Sequence, residues 1–189
     1  METEADHSPT WLYALSLVRT FGYMRRNEPF TLASGKHSVD YVDCGAVVRR
    51  GDRLVAVSTA MIEHAQHRVT FTHVGGPTIR ADPIAHGIAI SSGCAWFSVR
   101  SSPKPRGHMQ WIEGARLEPG DSALLIDDVV TTGQRILHAY ERVIMTGAAI
   151  TGVMPLVDRA EIAGKLFRAR GVPYFPLLTF SDLGIPAIR

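Results

Sequence analysis

The chain is predicted to be an α/β protein with a mainly parallel central sheet flanked by helices. Three observations carry this. Short apolar runs alternate with stretches of helical period from residue 51 towards the C-terminal end, the pattern of a sheet built through helical crossovers. The run ALLI at 123–126 is apolar at every position, as a strand covered on both faces must be. A length of 189 residues with 46 % hydrophobic side chains supplies one continuous core better than two, so a single domain over 1–189 is expected.

The elements follow in order. Ser8-Pro9-Thr10 reads as a helix start, a capping hydroxyl before a proline that the first turn tolerates. Trp11, Leu12, Leu15 and Val18 come at helical spacing, and Gly22 is the stop. Residues 27–50 hold strand-like pieces on either side of a Ser34-Gly35 turn. Asp52–Gln66 suits a helix presenting Leu54, Val57, Met61 and Ile62. Val69–Val74 reads as a strand ending at Gly75-Gly76-Pro77, followed by a helix from Pro83 to Gly93 and a strand at Ala95–Arg100. Ser101–Gly120 shows neither period, and a connection of about 20 residues in a compact domain marks either a mobile functional element or a wrong assignment. Ser122–Ile126 is the next strand and Gln134–Met145 a helix closed by Gly147. Ala149–Val157 is a strand, Glu161–Arg170 a helix, and Tyr174–Leu178 a terminal strand-like piece.

Composition narrows the function. A net charge of +2 is too small for nucleic-acid binding by bulk electrostatics, so no nucleic-acid partner is expected. Cys44 and Cys94 form no C-x-x-C pair and read as buried or bystander thiols of a reducing compartment. The N-terminal METEADHSPT lacks the basic and apolar regions of a signal peptide. No run of about 18 apolar residues exists to cross a membrane. A soluble, cytoplasmic protein is the expectation. His64 and His67 lie one helical turn apart, without the acidic partners of a metal site.

The most informative stretch is Ala123–Gly133, ALLIDDVVTTG. Ligands in open α/β sheets gather beyond the carboxyl ends of strands, and here the strand ends in Asp127 and Asp128. Val129, Val130, Thr131, Thr132 and Gly133 then lead into a helix. The amides of such a turn converge on one point, and the helix N-terminus adds partial positive charge, which makes a phosphate nest. The threonine hydroxyls can donate, and Gly133 allows close approach of backbone. Carboxylates only accept hydrogen bonds, so Asp127 and Asp128 suit neighbouring hydroxyls of a ribose. Either can also draw a magnesium ion, directly or through water. No G-x-x-x-x-G-K-[ST] or G-x-G-x-x-G accompanies the acids.

With these residues the chain resembles the type I phosphoribosyltransferases, and among them the orotate branch. The resemblance rests on IDDVVTTG together with FTLASGKHSVDYVD (30–43), VGGPTIRADPIA (74–85), FSVRSSPKPRGHMQWIEG (97–114) and VDRAE (157–161). It spans roughly Trp11 to Leu183. It implies the type I phosphoribosyltransferase fold with a small hood from the N-terminal segment. The chain would then divide into helix and hood (1–50), core sheet with mobile loop 101–120 (51–160), and C-terminal helix and strand (161–189). The implied reaction joins orotate to phosphoribosyl pyrophosphate, releasing pyrophosphate and orotidine 5′-monophosphate for pyrimidine nucleotide synthesis. Magnesium is the implied cofactor, held largely through the substrate, and a homodimer sharing the mobile loop is the implied assembly.

The resemblance also implies roles. Asp127 and Asp128 hold ribose, and Val129 to Gly133 bind the 5′-phosphate. Arg80, in the turn after Gly75-Gly76, and Arg100 lie on the pyrophosphate side. Lys104 is the loop lysine that stabilises charge on the leaving group, with Arg106 beside it. Tyr41 and Val42 meet the base, and Arg159 contacts it with a guanidinium fork suited to a planar anion. Lys36 is a further candidate cation, because Ala33 stands where lysine is common. Ser101 likewise replaces a usual lysine beside Arg100. Those two departures leave open a different acceptor base, or a regulator that senses phosphoribosyl pyrophosphate. For single residues, packing remains an alternative for Tyr41, solvent exposure for Lys104, and an ion pair with Asp158 or Glu161 for Arg159.

Overall fold

The computed structural model describes residues 7–31, 35, 37–103 and 111–188. Helix α1 (Pro9–Leu17) starts as its sequence requires: the Ser8 hydroxyl accepts from the Trp11 amide. The wider turn Val18–Gly22 then feeds an antiparallel hairpin, β1 (Tyr23–Thr31) and β2 (His37–Val42), which forms its own two-stranded sheet. Helices α2 (Cys44–Val48) and α3 (Gly51–Gln66) lead into the main sheet. There β3 (His73–Pro77), α4 (Asp82–Ser92), β4 (Ala95–Val99), β5 (Ile112–Gly114) and β6 (Ser122–Val130) follow one another. The chain closes with α5 (Gln134–Ile144), β7 (Ala149–Asp158), α6 (Ile162–Arg168) and β8 (Leu178–Thr179).

The strand order is β5-β4-β3-β6-β7-β8, parallel throughout except where β5 runs against β4. The expected mainly parallel sheet and the separate N-terminal hairpin are both present. Side chains alternate across the two faces, as strand geometry demands. Leu124, Ile126, Met154 and Leu156 pack with α1–α4, whereas Leu125 and Val153 pack with Phe97, Ile136 and Phe167. Burying each such side chain contributes roughly 2 kcal/mol. Among the described residues no helix is long and apolar enough to cross a membrane. Neither described cysteine is in a disulfide; Cys44 is buried and Cys94 half-buried.

Three expectations change. Strand β3 lies later than 69–74 and contains the glycines that were read as its end. A Cβ on Gly75 would lie 2.1 Å from the Phe97 carbonyl oxygen, and one on Gly76 1.9 Å from that of Ile126. These glycines let a central strand run between close neighbours. Strand β6 continues past Ile126 to Val130, so both acids lie inside it. Finally, 101–120 is not structureless. The Arg100 amide donates to the Trp111 carbonyl at 2.8 Å, β5 pairs with β4, and Leu117 is buried. Three strand residues are too few to show a period. Residues 104–110 lie outside those described.

Candidate active site

The sheet delivers a turn that enters a helix without a side-chain cap. Strand β6 ends at Val130, Thr131 and Thr132 form the turn, and Gly133 closes it at φ 80° as the residue before α5. Only glycine takes this conformation without cost, and space is also short: a Cβ there would sit 2.9 Å from the Ala163 Cβ. No side chain caps α5. Its first amides therefore remain available to an anion. The hollow above them, about 310 Å³, is lined by Asp127 and by residues 129–136.

The two acids are not equivalent. Both are almost fully buried, at 1 % and 5 % exposure, but successive strand residues face opposite sides. Asp127 lines the turn hollow and lies 3.6 Å from the Arg135 guanidinium. Burial pushes its carboxyl up to about 8, with Arg135 opposing and Asp128 adding. Asp128, whose amide donates to Asp127 Oδ1 at 3.0 Å, is also raised by burial. The Val129 amide, Arg80 and Arg135 hold it down. Of the expected ribose-holding pair, then, only Asp127 lines the turn hollow, while the charge of Asp128 acts on Arg80.

Arg80 leaves the turn after β3, where the Thr78–Ile79 peptide is cis. Its Nη1 donates to Asp43 Oδ1 at 2.9 Å. The charge of Asp128 is the largest influence raising the guanidinium above its ordinary value, with Asp43 adding to it. Asp43 also accepts from the Gly45 amide at 3.1 Å, capping α2. Arg100, at the end of β4, donates through Nε to the Ser102 carbonyl at 3.2 Å and lies 3.5 Å from Glu113. A hollow of about 240 Å³ nearby is bounded by Pro77, Thr78, Val99, Ser101, Arg135 and His138.

The opposite side is built from both ends of the chain. Arg159 is tied to β6 through its amide, which donates to the Val130 carbonyl at 2.8 Å. Its guanidinium is buried at 2 % exposure. Nη2 donates to the Asp40 carbonyl at 3.2 Å, and the buried Nη1 has no hydrogen-bond partner among the described residues. Asp158, the alternative ion-pair partner, accepts from the Ala160 amide instead. Burial lowers the Arg159 guanidinium from its usual value, with Asp40 and Tyr23 opposing. Tyr23 donates to Asp40 Oδ1 at 2.9 Å and so pins β2 beside this arginine. A cavity of about 430 Å³ lies between 37–40 and 186–188.

Tyr41 meets Phe30 edge to face at 5.3 Å, and Arg26 lies 4.9 Å from both rings. It therefore has a packing role within the hairpin. Val42 packs against the core. Lys36, Lys104 and Arg106 lie outside the described residues. Among those described, no group of three His, Cys, Asp or Glu side chains is placed to hold a metal by itself. Sequence reasoning missed Arg135, Asp43, Asp40 and Tyr23. Arg135 did carry a signal, because a cation in the first turn opposes the helix dipole unless an anion or carboxylate is present. The other three act through pairings between segments far apart in sequence, and no local pattern marks them.

Fold and turn together define a phosphoribosyltransferase. A phosphoribosyltransferase of Corynebacterium diphtheriae superposes with a TM-score of 0.81 at 26 % identity, over 94 % of this chain and all of that one. The orotate phosphoribosyltransferase of Mycobacterium tuberculosis superposes equally well, at 0.81 and 31 % identity, again over 94 % of this chain and 100 % of that chain. In sequence, the orotate phosphoribosyltransferase of Thermococcus kodakarensis is 36 % identical over 155 residues, 82 % of this chain and 83 % of that one. That of Mycobacterium avium is 36 % identical over 161 residues, 82 % and 87 % respectively. No protein-family model matches the chain. The chain belongs to the orotate phosphoribosyltransferase family.

Proposed function

We propose that the chain transfers the 5-phosphoribosyl group of phosphoribosyl pyrophosphate to orotate, giving orotidine 5′-monophosphate and pyrophosphate. The observation that carries this is the uncapped, glycine-closed turn at 129–133 above Asp127, in a chain of this family. A Mycobacterium tuberculosis relative with the same fold, TM-score 0.77 and 30 % identical, has been crystallised with phosphoribosyl pyrophosphate. The turn amides and the Thr131 and Thr132 hydroxyls hold the 5′-phosphate, and Asp127 accepts from a ribose hydroxyl.

In the reaction the bond from the ribose C1 to pyrophosphate breaks and a bond to the base nitrogen forms. Negative charge grows on the departing pyrophosphate, and preorganised cations stabilise that growth more than they stabilise the ground state. Arg80 and Arg100 serve this, with Lys104 and Arg106 supplied by the loop. Arg159 Nη1, buried and without a partner among the described residues, takes the orotate carboxylate. Lys36 adds a cation on that side, and the β2 backbone at Tyr41 and Val42 reads the ring edge.

Magnesium fits the acid pair: two buried carboxylates, both raised by burial, carry an unmet demand for positive charge. Asp127 or Asp128 would draw the ion, most ligands coming from substrate and water, and the ion would neutralise pyrophosphate charge. We place the enzyme in the cytoplasm as a homodimer sharing the 101–120 loop. A pyrophosphate-release assay with phosphoribosyl pyrophosphate, magnesium and a panel of bases tests the assignment. Release with orotate is expected. Release only with another base, the reading favoured by Ala33 and Ser101 in place of cations, overturns the choice of acceptor and keeps the reaction.

A further inference from the structure

Arg80 does not stand free at the mouth of the site; it is seated. Three features of the α2 segment make the seat. Asp43 Oδ1 takes the guanidinium Nη1 at 2.9 Å. The same oxygen accepts from the Gly45 amide at 3.1 Å, which fixes the carboxylate against the helix start. Gly45 itself leaves the room: a Cβ there would lie 2.5 Å from Arg80 Nη1 and 3.0 Å from Asp43 Oδ1. Gly45 needs no left-handed backbone, unlike Gly133. Its lack of a side chain therefore answers to the guanidinium and not to the fold of α2.

The seat matters because of what faces it. Arg80 answers to two carboxylates: the half-exposed Asp43, 2.9 Å away, and the buried Asp128, whose charge also holds the guanidinium above its ordinary value. An arginine drawn by Asp128 alone would collapse onto that acid and cancel it. A second acid on the outer side holds the guanidinium at a fixed place and leaves its remaining N–H groups for an incoming anion. Holding a long side chain in one geometry before binding removes an entropy cost from the binding step.

We infer that Asp43 and Gly45 are positioning residues that seat Arg80 for the diphosphate of phosphoribosyl pyrophosphate. This rests on the reaction proposed above. Neither residue touches substrate; both act through Arg80.

A double-mutant cycle read by titration calorimetry with phosphoribosyl pyrophosphate and magnesium tests it. Gly45→Ala is expected to weaken binding about tenfold, the worth of one charge-assisted hydrogen bond, with a melting temperature no lower than that of the wild type. Helical alanine is favoured over glycine, so a merely structural glycine would give no such loss. Arg80→Ala is expected to weaken binding at least as much. In that background, adding Gly45→Ala is expected to change nothing further. Asp43→Asn, which keeps an acceptor for the Gly45 amide but loses the charge, is expected to weaken binding in the wild type and to be silent beside Arg80→Ala. Wild-type binding matched by Gly45→Ala overturns the inference alone, as does an equal loss from Gly45→Ala with and without Arg80. A wild-type chain that does not bind phosphoribosyl pyrophosphate overturns this inference and the proposed function together.

Discussion

The proposed phosphate side and the proposed base side of the site are built in different ways. The phosphate side comes from one continuous stretch: Asp127 to Gly133 leave the sheet, turn, and enter α5, whose start has no side-chain cap and offers its backbone amides. The base side is assembled from three distant segments. Arg159 follows β7, the Asp40 carbonyl that holds it lies in the hairpin, and the Ile188 amide at the far end donates to the Arg159 carbonyl at 2.9 Å. Backbone anion sites are specified by turn geometry and tolerate varied side chains. Side-chain sites depend on every partner arriving. The first half should therefore fail through conformation, and the second through loss of individual contacts.

That contrast can be broken. Arg159→Ala removes a buried donor, Nη1, that has no partner among the described residues. It is expected to raise the orotate KM about 100-fold, in line with a charge-assisted contact of roughly 2–3 kcal/mol. The KM for phosphoribosyl pyrophosphate should stay within about twofold, as steady-state kinetics with both substrates will read. A comparable rise for both substrates would mean that the two halves are one unit.

Gly133→Ala acts on the other half. It asks alanine to adopt φ 80° with its Cβ 2.9 Å from Ala163, so a loss of about 1–3 kcal/mol in stability is expected. Denaturant unfolding measures it, and binding of phosphoribosyl pyrophosphate should weaken in parallel while the orotate KM does not. An unchanged midpoint would show that the turn is not constrained by its backbone.

A last prediction sharpens the comparison through pH. Burial raises Asp127 in the folded chain from its ordinary 3.8 to about 8. Between those values the folded chain keeps a proton that the unfolded chain has released, so stability falls as pH rises across that window. Asp127→Asn has no proton to lose there. It is expected to melt above the wild type near pH 8, with the gap closing towards pH 4, as scanning calorimetry over pH would show. A gap independent of pH would mean that the carboxyl is not held protonated by burial.

Where the binding groups lie close together in sequence, the site was legible without coordinates. The turn at 129–133, the acids before it and the alternation of strands with helices were all visible, because each follows from spacing and residue chemistry within a few turns of chain. Arg80, Arg100 and Arg159 were legible only through family resemblance, since a lone arginine in a loop looks like any solvated cation. Gly75 and Gly76 misled for a physical reason. Glycine marks the end of a strand when the chain must turn, and marks the middle of one when a neighbouring backbone comes too near.

By itself, the sequence determined the α/β class, the phosphate turn and the identity of its acids. These depend on hydrophobic period and on local backbone geometry, and both are written in contiguous residues. Tertiary structure alone decided that Asp127 and Asp128 face different partners, that Arg135 stands beside Asp127, and that Asp43 holds Arg80. It also decided that Arg159 lies buried against the Asp40 carbonyl. Each of those is a contact or a burial created only when distant segments meet, and charge placement at such a meeting leaves no period in the chain that makes it.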